Sequence, residues 1–414
     1  MSASSSDASP ALPFLKASGM SPGLVVLVLS LCLGIQPVTT DLYLPALPAL
    51  AESFAAPMAA AQYTLSALLL AFGLSQLIWG PLSDRFGRRP VMLLGLAAYG
   101  IAAVGSSFAP SMAWLIGLRV LQGAAMGAVV MCARAIVRDL YNPAEGARVI
   151  SKGLSGLGVI ACLSAPVGSL LAEFIGWRAA LLAPALFSAV ALGLIALRFQ
   201  ESLTRPDALA LQPARLAGTW LGIVRHPTFL AFSALSAASY AGLFTFLATS
   251  SFVFIKVLGL SQVQYGLVMF GMSLSYLAGT FLCRYLLARM SVQRAVAIAG
   301  ALSLAGGSLL ALLDVAGVHS LWAVLLPYLL FMLGHGIHQP CGQSGAVGPF
   351  PQAAGTASAL NGFSMMLVAF CMGTWLGTHM DGTTHPLTYG VAAWSAVIAL
   401  VAWTAVQAQG RRAA

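Results

Sequence analysis

Apolar residues in this chain come in blocks of about 20, and that feature decides the solvent in which it can fold. A helix of about 20 residues covers the roughly 30 Å of hydrocarbon in a bilayer. Twelve blocks are legible. Six lie near 22–48, 62–82, 90–109, 112–134, 149–172 and 178–197. Six more lie near 227–250, 263–283, 294–313, 320–341, 355–377 and 387–408. Composition agrees: 7% of the residues are charged and 59% are hydrophobic, against roughly 25% charged in a soluble domain. So few charges could not cover the surface of a water-soluble protein of 414 residues. Period-2 alternation, the mark of a barrel strand, is not the pattern of these blocks. The expectation is an all-α, multi-pass membrane protein.

The net charge of +9 would suit nucleic acid or another acidic partner, but its distribution sets topology instead. With the N-terminus in the cytoplasm, the inside segments hold Lys16, Arg85, Arg88, Arg89, Arg134, Arg138, Arg148, Lys152, Arg198, Arg205, Arg215, Arg225, Arg284, Arg289, Arg294, Arg411 and Arg412. That is 17 of the 20 basic residues. The outside loops hold Arg178 and Lys256, and Arg119 sits within a block. The split follows the positive-inside rule. An even number of spans leaves both termini cytoplasmic, in a bacterial inner membrane. The expected partners are the bilayer and a small-molecule substrate, with no nucleic acid, and the chain is expected to be a monomer.

Cys32, Cys132, Cys162, Cys283, Cys341 and Cys371 fall in or beside apolar blocks, without zinc or CxxC spacing. They read as small buried hydrophobes. Residues 1–21 and 409–414 read as cytoplasmic tails. A cleaved leader fits less well, because the first block runs past a charge and two prolines. The polar stretch 198–226 reads as a linker between a six-helix bundle over 22–197 and another over 227–408. A faint repeat supports two halves: Gly80-Pro-Leu-Ser-Asp-Arg85 ends span 2 and Gly279-Thr-Phe-Leu-Cys-Arg284 ends span 8. Such repeats are the usual construction of secondary transporters.

Between spans 2 and 3 runs Gly80-Pro-Leu-Ser-Asp84-Arg85-Phe-Gly87-Arg88-Arg89-Pro90. Gly87 permits a tight reversal and Pro90 suits a first helical turn. Asp84 amid the arginines is placed to pair or to approach a helix N-terminus. A generic positive-inside loop would need none of this. The run closely resembles the signature loop of the major facilitator superfamily, G-x-L-x-D-R-x-G-R-R. The resemblance implies twelve helices in two six-helix halves. It also implies a loop that latches those halves on the cytoplasmic side, with Asp84 and Arg85 helping to hold the outward-open state.

Span 4 carries Arg119, with Gln122 and Gly123 one turn on. An arginine within a span costs several kcal/mol unless paired or wet. It is either functional or tied to backbone carbonyls. Its R-x-x-Q-G pattern is similar to a superfamily motif in which the arginine serves proton transfer or holds the first helix. In span 5, Ala165-Pro166-Val-Gly168 allows close approach and a bend. It resembles the exporters' antiporter motif G-P-x-x-G-G, with Ala165 and Ser169 replacing glycines.

Asp41 is the one carboxylate placed inside a block rather than at an end. Burying its charge costs at least roughly 2.5–3.5 kcal/mol, so a carboxyl there is expected to exchange a proton at cellular pH. A seat in an external vestibule is the competing reading. The run Asp41-Leu-Tyr-Leu-Pro45-Ala-Leu-Pro48 resembles the Bcr/CflA group of multidrug/proton antiporters, which includes bicyclomycin and chloramphenicol exporters. Arg138-Asp139-Leu-Tyr141, Gly345-Ala-Val-Gly-Pro-Phe-Pro351 and Ala354-Gly-Thr-Ala-Ser-Ala-Leu360 resemble the same group. The resemblance implies that Asp41 takes part in coupling and recognition, with Arg119 modulating it or holding span 1. Span 1 has no second acid from Leu24 to Gly34, which favours neutral or zwitterionic cargo over strongly cationic drugs.

His335 and His338 stand three apart in span 10, as a metal pair or a pH-sensing gate would. With no Cys or carboxylate nearby in sequence, no metal is expected, and hydrogen-bonded interface histidines are the default. Tyr43, Tyr240, Phe244 and Phe270 are candidates for an apolar cavity lining. No Walker loop, ligand cluster or nucleophile constellation occurs, so neither ATP-driven transport nor an enzyme is expected, and the proton is the only coupling agent. The expectation is proton-coupled efflux by alternating access. A metabolite exporter, an importer of the same superfamily and a non-transporting scaffold are the alternatives.

Overall fold

A computed structural model describes residues 20–141, 143–204 and 206–413. Most of the expected 1–21 tail, with Lys16, lies outside the described residues, as do Arg205 and the side chains of Arg411 and Arg412. Among the described residues every regular element is helical, and twelve helices are long and apolar enough to cross a membrane. In chain order they are α1 (Pro22–Ser53), α2 (Met58–Phe86), α3 (Arg88–Ser107), α4 (Met112–Leu140), α5 (Pro143–Phe174), α6 (Trp177–Arg198), α7 (Pro227–Val257), α8 (Gln262–Leu287), α9 (Val292–Val315), α10 (Leu321–Val347), α11 (Pro351–His379) and α12 (His385–Gln409).

Several helices outrun the apolar blocks that announce them. α4 has 29 residues and ends at Leu140, not near 134. A helix of that length rises beyond the roughly 30 Å of hydrocarbon, so its last turns stand outside it. Helix ends still need partners for their free N–H groups. Ser111, Ser261, Ser291 and Ser320 supply them at the starts of α4, α8, α9 and α10, each side chain accepting from the first turn. Between α2 and α3 there is one residue, Gly87, at φ 99°. A side chain there would be strained and would run into the Glu201 carboxylate. The expected linker holds a helix of its own, Pro213–Val224. Asp207 N donates to Asp84 O at 3.0 Å, which ties the linker to the α2–α3 connection.

The helices pack as two bundles, α1–α6 and α7–α12, that meet mainly along α2 against α11 and α5 against α8. Under the six-plus-six repeat, α2 corresponds to α8 and α5 to α11, so these are one seam seen twice. The two ends of the seam differ. At the end away from the linker, Gln62 Nε2 donates to Ala248 O (3.0 Å) and Glu173 Oε2 accepts from Val263 N (2.8 Å). Lys256 pairs with Glu52 there as well. At the linker end, here called the basic end, a cavity of about 440 Å³ opens among α2, α4, α11 and the linker helix. The bundle is closed at one end and hollow at the other. Cys32, Cys132, Cys283 and Cys341 are buried as expected, but Cys162 is partly exposed and Cys371 is exposed.

Candidate functional site

The site begins with a fault in α1. Pro37 lacks an N–H, and the first helical segment stops at Thr40. A turn over 41–43, a short 3-10 stretch Leu44–Ala46 and a helix Leu47–Ser53 follow. A break inside a span leaves carbonyls without partners, which hydrocarbon cannot supply. Arg119 of α4 supplies one. Its Nη2 donates to Thr39 O at 3.0 Å and its Nη1 to Gln122 Oε1 at 2.8 Å. The guanidinium lies 4.4 Å over the Tyr43 ring. Tyr43 OH meets Thr64 Oγ1 at 2.8 Å, and Thr39 Oγ1 meets Tyr99 OH at 2.6 Å. Arg119 is wholly buried. A cation suits the C-terminal end of a helical segment, where the dipole is negative. Gly123 brings α2 close to this group, since a Cβ there would meet the Leu68 carbonyl.

Asp41 caps the broken segment. Its N donates to Pro37 O (2.8 Å) and its Oδ1 accepts from Thr40 Oγ1 (2.8 Å). Among the described residues Arg119 makes no ion pair with it: Nη2 and Nη1 go to Thr39 O and Gln122 Oε1, and Nε has no hydrogen-bond partner. Of the two expected roles for Arg119, the contacts are those of holding α1. Across the seam, Tyr240 of α7 and Tyr265 of α8 lie within electrostatic reach of Asp41, and Tyr240 also meets Gln36. The α5 motif sits against the same break. A Cβ on Gly168 would collide with the Leu42 carbonyl, and a Cβ on Gly266 of α8 would collide with Ser169 and reach Pro166. Ala165 is buried beside them. Small residues therefore let α1, α5 and α8 converge where Asp41 stands.

The aromatic candidates separate. Tyr43 is fully buried under Arg119, so it builds the core of the first half and is not a cavity wall. Phe244 is also fully buried and packs at Gly373. Tyr240 is buried but faces Gln36 and Asp41. Phe270 is partly exposed. None of the four borders the large cavity.

At the basic end Arg88, not Asp84, is the hub. It reaches Asp84 Oδ1 (2.6 Å), Asp139 Oδ2 (2.8 Å) and Ser83 Oγ (2.7 Å) while itself buried. Arg138 approaches Asp84 at 3.6 Å. The N-terminus of α3 is capped from the linker: Glu201 Oε1 and Oε2 accept from Arg88 N and Arg89 N, each at 2.9 Å. Asp84, expected to pair or cap, therefore pairs. Arg89 Nη2 donates to Ala196 O (2.8 Å), Arg85 lies over the Phe86 ring, and Gly80 borders the cavity. Every partner of the loop belongs to the first half or the linker. The latch between halves implied by the resemblance is unmade in this hollow-ended state.

His335 Nδ1 meets Ser239 Oγ at 2.8 Å, an interface histidine as expected. His338 is buried against the Val296 backbone, with neither ring nitrogen in a hydrogen bond of ordinary geometry. Among the described residues no group of three or more His, Cys, Asp or Glu side chains could hold a metal. Two contributors escaped the sequence reading. Glu201 looked like an ordinary linker charge. Arg134 looked like a positive-inside residue at the end of span 4, although Ala135, Ile136, Val137 and Leu140 continue the helical apolar pattern past it.

Comparison with known proteins decides the family. The model of the Major Facilitator Superfamily matches residues 29–374. The chain belongs to the major facilitator superfamily. Within this superfamily it is 30% identical to multidrug resistance protein D of Escherichia coli, over 82% of this chain and 84% of that one. It is 25% identical to the bicyclomycin resistance protein homolog of Haemophilus influenzae, over 91% and 94%. It is 28% identical to a chloramphenicol resistance protein of Pseudomonas aeruginosa, over 80% and 77%. Among solved structures, a D-xylose–proton symporter superposes with a TM-score of 0.71 at 16% identity, covering 92% of this chain and 97% of that one. A human organic anion transporter gives 0.68 at 21%, covering 92% and 99%. These two share the fold. The chain is a multi-pass membrane transporter of Bcr/CflA type.

Proposed function

We propose that this transporter exports small, largely neutral or zwitterionic compounds, antibiotics among them, in exchange for protons across a bacterial inner membrane. The observation that carries this is Asp41. It stands in the break of α1 with Thr40 as its side-chain partner, where helices of both halves converge. A carboxylate within a span is costly to keep ionised, so proton gain and loss there would alter how α1 sits against α5 and α8. The resistance for which these relatives are named supports the same class of cargo.

The basic end, taken as cytoplasmic by the positive-inside rule, is the entrance for cargo. Protonation of Asp41 from outside favours the state that is hollow at this end. Cargo binds between the halves as Asp41 releases its proton inward, and the transporter then opens at the other end. The transporter needs no cofactor in this scheme and works as a monomer.

Inverted vesicles with an imposed proton gradient test the scheme, with chloramphenicol as cargo. Asp41→Asn is expected to abolish gradient-driven uptake while leaving exchange of cargo down its own gradient. Wild-type gradient-driven rates in that variant would sink the coupling role. Gradient-driven movement in the opposite direction would make the protein an importer.

A further inference from the structure

The cavity at the basic end holds a guanidinium with no acid to match it. Its other cations are paired: Arg88 with Asp84 and Asp139, Arg138 with Asp84 at 3.6 Å, and Arg215 with Asp207 at 3.1 Å. Arg134 of α4 also borders the cavity. Among the described residues its one hydrogen bond runs across the seam, from Nη1 to Ser358 Oγ of α11 at 3.2 Å. Among the described residues no carboxylate lies within ion-pair distance of it.

A planar guanidinium with free donors matches a carboxylate's two oxygens. Arg134 is exposed within the cavity, so water competes for its donors and the two-pronged geometry of the pair carries the contact. Beside Arg134 the lining is mixed. Met131 and Leu77 offer apolar area, and Gln76 and Thr356 offer polar atoms. An amphiphile with one acidic group fits this pattern, with its charge at Arg134 and its body along Met131 and Leu77.

We infer that Arg134 is the anchor for a carboxylate on the transported compound, engaged in the hollow-ended state. That the bound compound is cargo rests on the export reading above. The binding itself does not. For cargo that carries a carboxylate the anchor adds a charge contact that neutral cargo lacks, and bridging to Ser358 lets a bound carboxylate draw α4 and α11 together.

The test uses purified full-length protein and a matched pair of radiolabelled probes, 1-naphthoate and 1-naphthamide. Wild type is expected to hold naphthoate about tenfold more tightly than naphthamide. Arg134→Gln should lower naphthoate to the level of naphthamide and leave naphthamide unchanged. Arg134→Lys, which keeps the charge but not the planar fork, should keep part of the preference. Equal wild-type affinities, no binding of either probe, or an equal loss for both probes in Arg134→Gln would overturn the assignment. Chloramphenicol flux in inverted vesicles separates the two readings. No flux in wild type counts against export alone, and the naphthoate comparison still decides the anchor.

Discussion

Arg119 and Arg134 stand on the same helix, about four turns apart, and meet opposite surroundings. Arg119 is sealed in the first half. Its donors end on a carbonyl left over by the α1 break and on an amide, and its face rests on Tyr43. Arg134 faces an open cavity with one hydroxyl to hold. Among the described residues neither has a carboxylate partner. For Arg119 that is because the negative end of a helical segment takes the acid's place. For Arg134 nothing takes it. The same side chain is thus a structural strut at one level of α4 and an unfilled socket at another, and burial against a carbonyl, an amide and a ring tells them apart.

Substitutions can break that contrast. Arg119→Ala leaves Thr39 O and Gln122 unmatched inside the bundle, so a loss of about 3 kcal/mol is expected. Thermal unfolding in detergent would show it as a Tm lowered by several degrees, and an unchanged Tm would remove the strut. Gly168→Val forces atoms onto the Leu42 carbonyl and should cost about 2 kcal/mol, with transport lost as α1 is displaced. Tyr43→Phe keeps the ring under Arg119 but removes the hydrogen bond to Thr64. Its expected cost is about 1 kcal/mol, read as a smaller Tm shift with transport retained. Arg134→Gln should change stability by no more than about 0.5 kcal/mol while changing what binds. A large Tm drop there would make Arg134 a second strut.

Much of this architecture was legible beforehand because bilayer physics writes it into composition. Twelve apolar blocks became twelve helices, and the Gly80–Pro90 run marked the α2–α3 connection. Asp41 and Arg119 stood out because each breaks the apolar rule. The partners were not legible. Whether Arg119 reaches Asp41 or a carbonyl depends on where α1 stops, which the prolines suggest but do not locate. Tyr43, a candidate cavity aromatic, lies in the break and turns inward under Arg119 instead. Arg134 was hidden because the apolar block ended near 134, while the helix runs on to Leu140. Glu201 acts at a separation that no local pattern encodes, on N–H groups of Arg88 and Arg89.

The absence of an acid beside Arg119 has an electrical consequence. With Asp41 ionised, the α1 break and its arginine sum to zero charge. With Asp41 protonated they carry one positive charge, and no neighbouring carboxylate offsets it. Under the proton-coupled scheme the membrane voltage therefore acts on the loaded carrier and hardly on the unloaded one. A full elementary charge crossing 100 mV gains about 2.3 kcal/mol, so an inside-negative potential would pull the protonated form toward the hollow-ended state. Turnover would then track voltage as well as pH, through one residue in one broken helix.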